Sequence, residues 1–130
     1  MKSYTDIEQS KKLIEILPLE SSDMMYHSVE NEYGSGAFVA ASKIITNGFK
    51  NDDFYYDDIP CWSLAALLNV LNSIEGWYPG IDAQVGEELN WQICMFSYET
   101  GSDLRTAAAN KELVDTCYEV ILKLYEHKIL

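Results

Sequence analysis

A chain of 130 residues with 48% hydrophobic and 12% aromatic content has the composition of a folded globular domain rather than of a disordered segment. Its 21 acidic against 9 basic residues give a net charge of −12, which disfavours binding to nucleic acid or to an anionic membrane. No apolar run approaches the roughly 20 residues of a membrane span, and the first residues lack the apolar segment of a secretory signal. We therefore expect a cytoplasmic protein in which Cys61, Cys94 and Cys117 stay reduced.

The negative charge is concentrated in the middle of the chain. Residues 1–48 carry four basic and seven acidic side chains, residues 49–100 carry one and nine, and residues 101–130 carry four and five. The middle segment therefore has a net charge of −8. Such a surface keeps a protein soluble, and it can also attract a basic partner.

The first half of the chain predicts a helix followed by a β-hairpin. Thr5-Asp-Ile-Glu8 has the form of a capping box, which predicts a helix over residues 6–16 that Pro18 closes. Residues 24–29 form a first extended run, and residues 37–45 form a second extended run after a glycine-bearing loop. Two such runs around a loop of turn formers indicate a hairpin. Ala40 and Ala41 are also compatible with a helix in the second run.

The densest apolar run, Pro60–Leu71, predicts the core helix of the protein. Ser63 is its expected N-cap, and Trp62 is a large apolar anchor just before it. Four leucines then recur at the i, i+3, i+4 and i+7 positions of one helix face, namely Leu64, Leu67, Leu68 and Leu71. We expect the helix to end near Gly76, where a glycine suits the left-handed conformation of a helix C-terminus.

The second half predicts one clear strand and one long helix. Residues 77–80 form an expected turn, and residues 81–90 are poorly determined, with room for a short strand. Residues 91–98 alternate with apolar side chains on both faces, which predicts a strand covered at least partly on both sides. A wide apolar stripe predicts a final helix over residues 111–127, and residues 104–109 either extend it or form a turn before it.

The order of these elements predicts an α+β fold. We expect a single two-layer domain over residues 1–130, with a small, mainly antiparallel sheet of about three to four strands packed by about three helices. No internal repeat or low-complexity linker divides the chain. The pattern does not fix the order of the strands.

An acidic loop with an aromatic centre, residues 51–58, is the most distinctive candidate site. Its carboxylates are the oxygen ligands that Ca²⁺ or Mg²⁺ would use, but the Asp-x-Asp-x-Asp-Gly spacing of a calcium loop is absent. A solvated charged loop is therefore the favoured interpretation, and no metal is expected. As a surface for a basic partner, the loop offers Asp52, Asp53, Tyr55, Tyr56, Asp57 and Asp58.

Catalytic chemistry finds little support in the sequence. Cys61 paired with His27 or His127 would be a nucleophile and a base, but no activating motif surrounds the cysteine, and a small buried hydrophobe is the better interpretation. The cysteines and histidines show no metal-ligand spacing, and the nucleotide-binding and Gly-x-Ser-x-Gly motifs are absent. We predict no catalytic residue and no cofactor, which favours a protein that is not an enzyme.

Three blocks of sequence carry a resemblance that spans nearly the whole chain. They are Leu17-Pro-Leu-Glu-Ser-Ser-Asp-Met24, Ile59-Pro-Cys-Trp-Ser-Leu-Ala-Ala-Leu-Leu68 and Val114-Asp-Thr-Cys-Tyr-Glu-Val-Ile-Leu-Lys-Leu-Tyr-Glu126. In this order they resemble a group of small uncharacterised proteins of gut anaerobic bacteria, often encoded in prophages and other mobile elements. The resemblance implies a phage or mobile-element origin, and it implies no activity and no site residues.

Three functional hypotheses follow. The leading one is a non-enzymatic accessory protein whose acidic surface engages a basic protein, in a narrower form by mimicking the phosphates of nucleic acid. The second is a small enzyme or ligand-binding domain with a pocket near Trp62, Tyr55 and Trp91. The third is a structural homo-oligomer that associates through exposed aromatic side chains such as Trp77 and Tyr78. Direct nucleic-acid or membrane binding is not expected.

Overall fold

A computed structural model of the chain describes residues 1–31, 34–41, 59–86, 88–105 and 112–130. The chain divides into two compact units, one of residues 4–66 and one of residues 1–3 together with 67–130. The expectation of a single domain over residues 1–130 stays a prediction.

Among the described elements, each of the first two α-helices is followed by three strands, and a third α-helix comes last. The first unit contains helix α1 (Ile7–Ile14), a 3-10 turn (Leu19–Ser21) and strands β1 (Met24–Asn31), β2 (Gly34–Ala41) and β3 (Ile59–Cys61). Helix α2 (Leu64–Asn72) contains the boundary between the units. It is followed by strands β4 (Trp77–Val85), β5 (Leu89–Ser97) and β6 (Asp103–Arg105) and by helix α3 (Leu113–Glu126).

The α+β fold is confirmed, whereas a single sheet is not. The described strands form two antiparallel three-stranded sheets, with the orders β2-β1-β3 and β4-β5-β6. Alternation along the sequence predicts where strands lie, but it does not indicate which strands pair. The division into two sheets could therefore not be predicted from it. Among the described residues, no helix combines the length and the apolarity that a membrane crossing requires.

The predicted hairpin is present in the first unit. Strands β1 and β2 pair antiparallel, from Met24 opposite Ala41 to Asn31 opposite Gly34. The alternative of a helix in the second run is therefore wrong for residues 37–41. Residues 42–45, the end of the expected second strand, lie outside the described residues.

The first helix begins one residue later than its capping signal predicts. Asp6, not Thr5, is the N-cap: its carboxylate accepts from the backbone N–H of Gln9 at 2.8 Å, and the Gln9 side chain accepts from the N–H of Asp6 at 3.1 Å. The sequence contains two overlapping capping boxes, and the Asp6 frame prevails because Thr5 is completely buried and bonded elsewhere. The helix also ends at Ile14 rather than at residue 16.

The predicted core helix is confirmed in its start and in its apolar face. The hydroxyl of Ser63 accepts a hydrogen bond from the backbone N–H of Ala66 at 3.1 Å, as an N-cap does. Leu67 and Leu71 are completely buried on the expected face. The helix ends at Asn72, so Gly76, with its φ of +83°, serves the turn before β4 instead of the helix end.

The hairpin of β4 and β5 corrects the prediction for residues 77–90. Trp77–Gly80, an expected turn, is the start of β4, and the poorly determined stretch contains the rest of that strand. Pro79 is compatible with a strand because β4 lies at the edge of its sheet, where one side of the backbone needs no ladder partner. The strand expected over residues 91–98 is confirmed as β5, and residues 103–105 form β6.

Strand β5 and helix α3 supply the core of the second unit. Ile93 and Met95 on one face of β5 are completely buried, and α3 packs against this strand. The predicted stripe of α3 is confirmed for Leu113, Val114, Cys117, Val120, Ile121 and Leu124, all of them buried, whereas Tyr125 is 48% exposed. The N-terminal segment is attached to the start of α3. The backbone N–H of Lys2 donates to the Glu112 carboxylate at 2.7 Å, and its ammonium group donates to Asp115 at 2.6 Å.

Candidate functional site

The acidic loop that the sequence favours lies outside the described residues. All six of its candidate side chains fall within the undescribed range 42–58, so their role in partner binding stays a prediction; they are Asp52, Asp53, Tyr55, Tyr56, Asp57 and Asp58. The acidic residues of the middle segment that the structure does describe are Glu75, Asp82, Glu88 and Glu99.

Cys61 is placed in a way that opposes nucleophilic catalysis. Its side chain is completely buried, and this burial raises the pKa of the thiol. A cysteine nucleophile requires the opposite shift, because the thiolate is the reactive form. The interpretation of Cys61 as a small buried residue therefore agrees with its position.

The surroundings of Cys61 form a buried hydroxyl cluster with a structural role. The hydroxyl of Thr5 lies 2.8 Å from that of Ser10 and accepts from the backbone N–H of Trp62 at 3.2 Å. The Tyr26 hydroxyl donates to the Thr5 carbonyl at 2.7 Å, and burial of the ring raises the pKa of Tyr26 to about 12. These bonds join the start of α1 to β1 and β3. They satisfy buried polar groups that would otherwise be costly.

Trp62 offers no exposed ring to a ligand. It is completely buried, and its indole N–H donates to the Ser21 hydroxyl at 2.9 Å. The interpretation of Trp62 as an apolar anchor therefore agrees with its position. Tyr55, a second member of the proposed pocket, lies outside the described residues, and that pocket stays a prediction.

A cavity of about 300 Å³ lies where β4 begins and β5 ends. Its lining residues are Glu75, Gly76, Trp77, Ser97 and Glu99. Both glutamates are exposed, and the indole of Trp77 is half-buried. Two exposed glutamates beside one opening are complementary to a cationic side chain through ion pairing.

The backbone explains why these residues surround one opening. Trp77 is directly opposite Ser97 in the ladder, and the Tyr98 N–H donates to the Gly76 carbonyl at 2.9 Å. This last bond ties the turn before β4 to the turn after β5. Gly76 adopts a φ of +83°, which a residue with a side chain rarely tolerates. The two glutamates thus extend from two turns that are bonded to each other.

Three aromatic rings form a row on the other face of the same hairpin end. Tyr78 and Phe96 are directly opposite each other, with ring centroids 5.3 Å apart and planes at 26°, and Tyr78 and Tyr98 lie 4.6 Å apart at 43°. Tyr78 is 41% exposed and Tyr98 is 71% exposed. Because neighbouring strand residues point to opposite faces, this aromatic row and the cavity beside Trp77 are separate features.

Gly80 provides the space for this aromatic row. A Cβ at this position would lie 2.8 Å from Cε2 of Phe96, so the ring of Phe96 lies over the bare backbone of the glycine. An aromatic side chain covering a glycine on the neighbouring strand protects the backbone that the glycine leaves uncovered. The aromatic row therefore depends on a residue without a side chain.

The sequence segment that contains these two features is strongly acidic. The sequence contains no lysine or arginine from residue 51 to residue 104, while ten aspartates and glutamates fall in that range. Among the described residues, no group of three histidine, cysteine or acidic side chains is arranged to hold a metal ion.

Comparisons of the chain with protein families, with curated proteins and with solved structures gave no match.

Neither feature was predicted from the sequence, because residues 77–80 were expected to form a turn. With Trp77 and Tyr78 in a turn, Tyr78 had no cross-strand partner and the aromatic row could not be recognised. The signal that could have revealed it is the alternation of Trp77, Pro79 and Ile81 against Tyr78 and Gly80, which has the period of a strand. The turn was predicted instead because Pro79 and Gly80 are strong turn signals.

Proposed function

We propose that this chain is a non-enzymatic binding protein, of phage or mobile-element origin, that engages a basic protein through the acidic middle of its sequence. The cavity between Glu75 and Glu99 carries the proposal, because two exposed glutamates and Trp77 are among its lining residues. A lysine or arginine side chain that entered it would meet a carboxylate on either strand end and the indole of Trp77. The six candidate residues of the acidic loop stay a separate prediction for binding a basic partner.

Binding explains the cavity better than catalysis does. Its lining contains no cysteine, histidine or lysine to act as a nucleophile or base, and both of its glutamates are exposed. A carboxylic acid that donates a proton at neutral pH is typically sheltered in an apolar site. Exposed carboxylates are instead suited to attracting and pairing with a cation from solution.

The direct test is the affinity of the protein for basic peptides, measured by calorimetry with the two cavity carboxylates neutralised. We expect the Glu75→Gln/Glu99→Gln double variant to bind an arginine- and lysine-containing peptide about tenfold more weakly than the wild type, since two close charge pairs are lost. The loss should shrink as salt screens the charges.

The matched control removes the same charge elsewhere. Glu126 and Glu8 are exposed acidic residues in helices α3 and α1, and Glu126→Gln/Glu8→Gln has the same net charge as the cavity variant. We expect this control to bind as the wild type does within about twofold, because neither residue lines the cavity. Equal losses in the two double variants would show attraction to overall charge only, and the absence of any peptide binding would refute the proposal.

A further inference from the structure

The aromatic row of Phe96, Tyr78 and Tyr98 is a surface that the proposed cavity does not use. Its rings lie on the opposite face of the β4–β5 hairpin from Trp77, and the two tyrosines are 41% and 71% exposed. Stacked aromatic side chains are ordinarily buried, because each buries a large apolar area when covered. Rings that keep their mutual packing and still present faces to solvent form a preorganised contact surface.

The charge of the surroundings determines which ligand fits this surface. Asp82 lies on the same face of β4 as Tyr78, four residues further along the strand, and Glu99 follows Tyr98 in the chain; both are exposed. Asp103, also exposed, is directly opposite Phe96 in the β5–β6 ladder, and Arg105 is opposite Cys94. The acidic residues near the rings therefore outnumber this arginine, and an anionic ligand such as nucleic acid is disfavoured. A cation that also has a flat π-face can stack on the rings and is attracted by the negative charge near them.

We infer that the aromatic row binds arginine side chains of a basic protein partner by stacking their guanidinium groups on Tyr78 and Tyr98. The inference rests on the proposed function and deepens it, because it specifies which basic side chain the partner uses. The guanidinium group is planar, weakly hydrated and able to stack on a ring while donating hydrogen bonds at its edge. The lysine ammonium group is a compact, strongly hydrated charge that gains less from such a surface.

The test compares two peptides of equal length and charge, one of alternating glycine and arginine and one of alternating glycine and lysine. We expect the wild type to bind the arginine peptide about threefold or more tightly than the lysine peptide. Tyr98→Leu should remove most of that preference with no change in protein charge, and Tyr98→Phe should retain it because the ring remains. At 71% exposure, Tyr98 can be replaced without disturbing the core.

A control and the possible outcomes separate this inference from the proposed function. Tyr125→Leu removes a tyrosine of α3 that is 48% exposed, and it should leave the preference unchanged. If both peptides bind equally well, or if Tyr98→Leu keeps the preference, the inference is overturned while the binding function stands. If neither peptide binds, the proposed function fails and the inference fails with it.

Discussion

Asp23 accepts two hydrogen bonds from Ser63, a residue forty positions later in the chain. The backbone N–H of Ser63 donates to one carboxylate oxygen at 2.9 Å, and its hydroxyl donates to the other. The Ser63 hydroxyl in turn accepts from Ala66 and caps α2. The carboxylate therefore orients the cap and adds a negative charge at the helix N-terminus, where the helix dipole favours it.

Replacement of Asp23 by alanine should reduce the stability of the protein measurably. We expect Asp23→Ala to lower the free energy of unfolding by about 2 kcal/mol, because Ser63 loses two charge-assisted bonds and its orientation. Urea denaturation followed by circular dichroism measures this. Glu20→Ala, an exposed acidic residue of the same unit, is the control and should change stability by less than about 0.5 kcal/mol.

The pairing itself can be tested with Ser63→Ala and the Asp23→Ala/Ser63→Ala double variant. The two losses should add up to clearly more than the loss in the double variant, because both single changes break the same bonds. Additive losses would mean that Asp23 and Ser63 stabilise the fold independently.

Tyr26 should make the protein sensitive to high pH. Burial raises its pKa from 10.0 to about 12, and its hydroxyl donates to the Thr5 carbonyl. A group whose pKa is higher in the folded state stabilises the fold below its unfolded pKa, and it loses that contribution as pH rises toward the folded pKa. We therefore expect stability to fall between about pH 10 and pH 12, with tyrosinate absorbance rising on unfolding.

The Tyr26→Phe variant separates the two effects of this hydroxyl. At neutral pH it should be about 1 kcal/mol less stable than the wild type, because the hydrogen bond to Thr5 is lost. Above pH 10 its stability should decline less steeply, because the buried ionisable group is gone. An alkaline decline as steep as that of the wild type would contradict the assignment, and Tyr125→Phe provides the exposed control.

The three cysteines should differ in reactivity toward a thiol reagent. Cys61 and Cys117 are completely buried, and burial raises the pKa of both thiols, that of Cys117 to about 12. At mildly alkaline pH these two should remain protonated and inaccessible, while Cys94, which is half-buried, reacts in the native state. Mass spectrometry after a short alkylation should find the label on Cys94, and full labelling should require denaturant. Rapid native labelling of Cys61 would contradict its placement.

Gly80 should not accept a side chain, because Phe96 lies over it. In Gly80→Ala the new Cβ would meet the ring of Phe96 at 2.8 Å, so the ring must move away from its stack with Tyr78. We expect a loss of about 1–2 kcal/mol in thermal or urea unfolding. Gly86→Ala is the matched control: nothing lies within 4 Å of its Cβ, and it should be neutral or slightly stabilising. Equal effects at the two glycines would show that the ring does not depend on Gly80.

Features that depend on interactions between residues close in the chain were predicted from the sequence. Features that depend on contacts between residues far apart in the chain were not. Ser63 could be recognised as an N-cap because the bond it makes lies within its own helix turn. Its partner Asp23 could not, because forty residues separate them and no local pattern records the contact. Thr5 shows the converse failure. Its local pattern fits a capping box, but tertiary bonds with Trp62 and Ser10 occupy its hydroxyl and leave Asp6 to cap the helix.

The candidate site was missed for a related reason. Strand β4 gains its ladder from β5, and that pairing overrides the turn preference of Pro79 and Gly80. The carboxylates of Glu75 and Glu99 lie 24 positions apart in the chain, and only the formed hairpin places them around one opening. The uneven distribution of charge was the one part of the site accessible from the sequence.

The attachment of Lys2 to Glu112 and Asp115 has a consequence for how the protein is made. Residues 4–66 form a unit from one continuous stretch, whereas the other unit includes the first three residues and the last sixty-four. Ribosomes add about 5–20 residues per second, so Lys2 emerges several seconds to tens of seconds before Glu112, 110 positions later, is synthesised. The bonds from Lys2 to Glu112 and Asp115 therefore cannot form until the start of α3 has been synthesised, which is after all of residues 4–66.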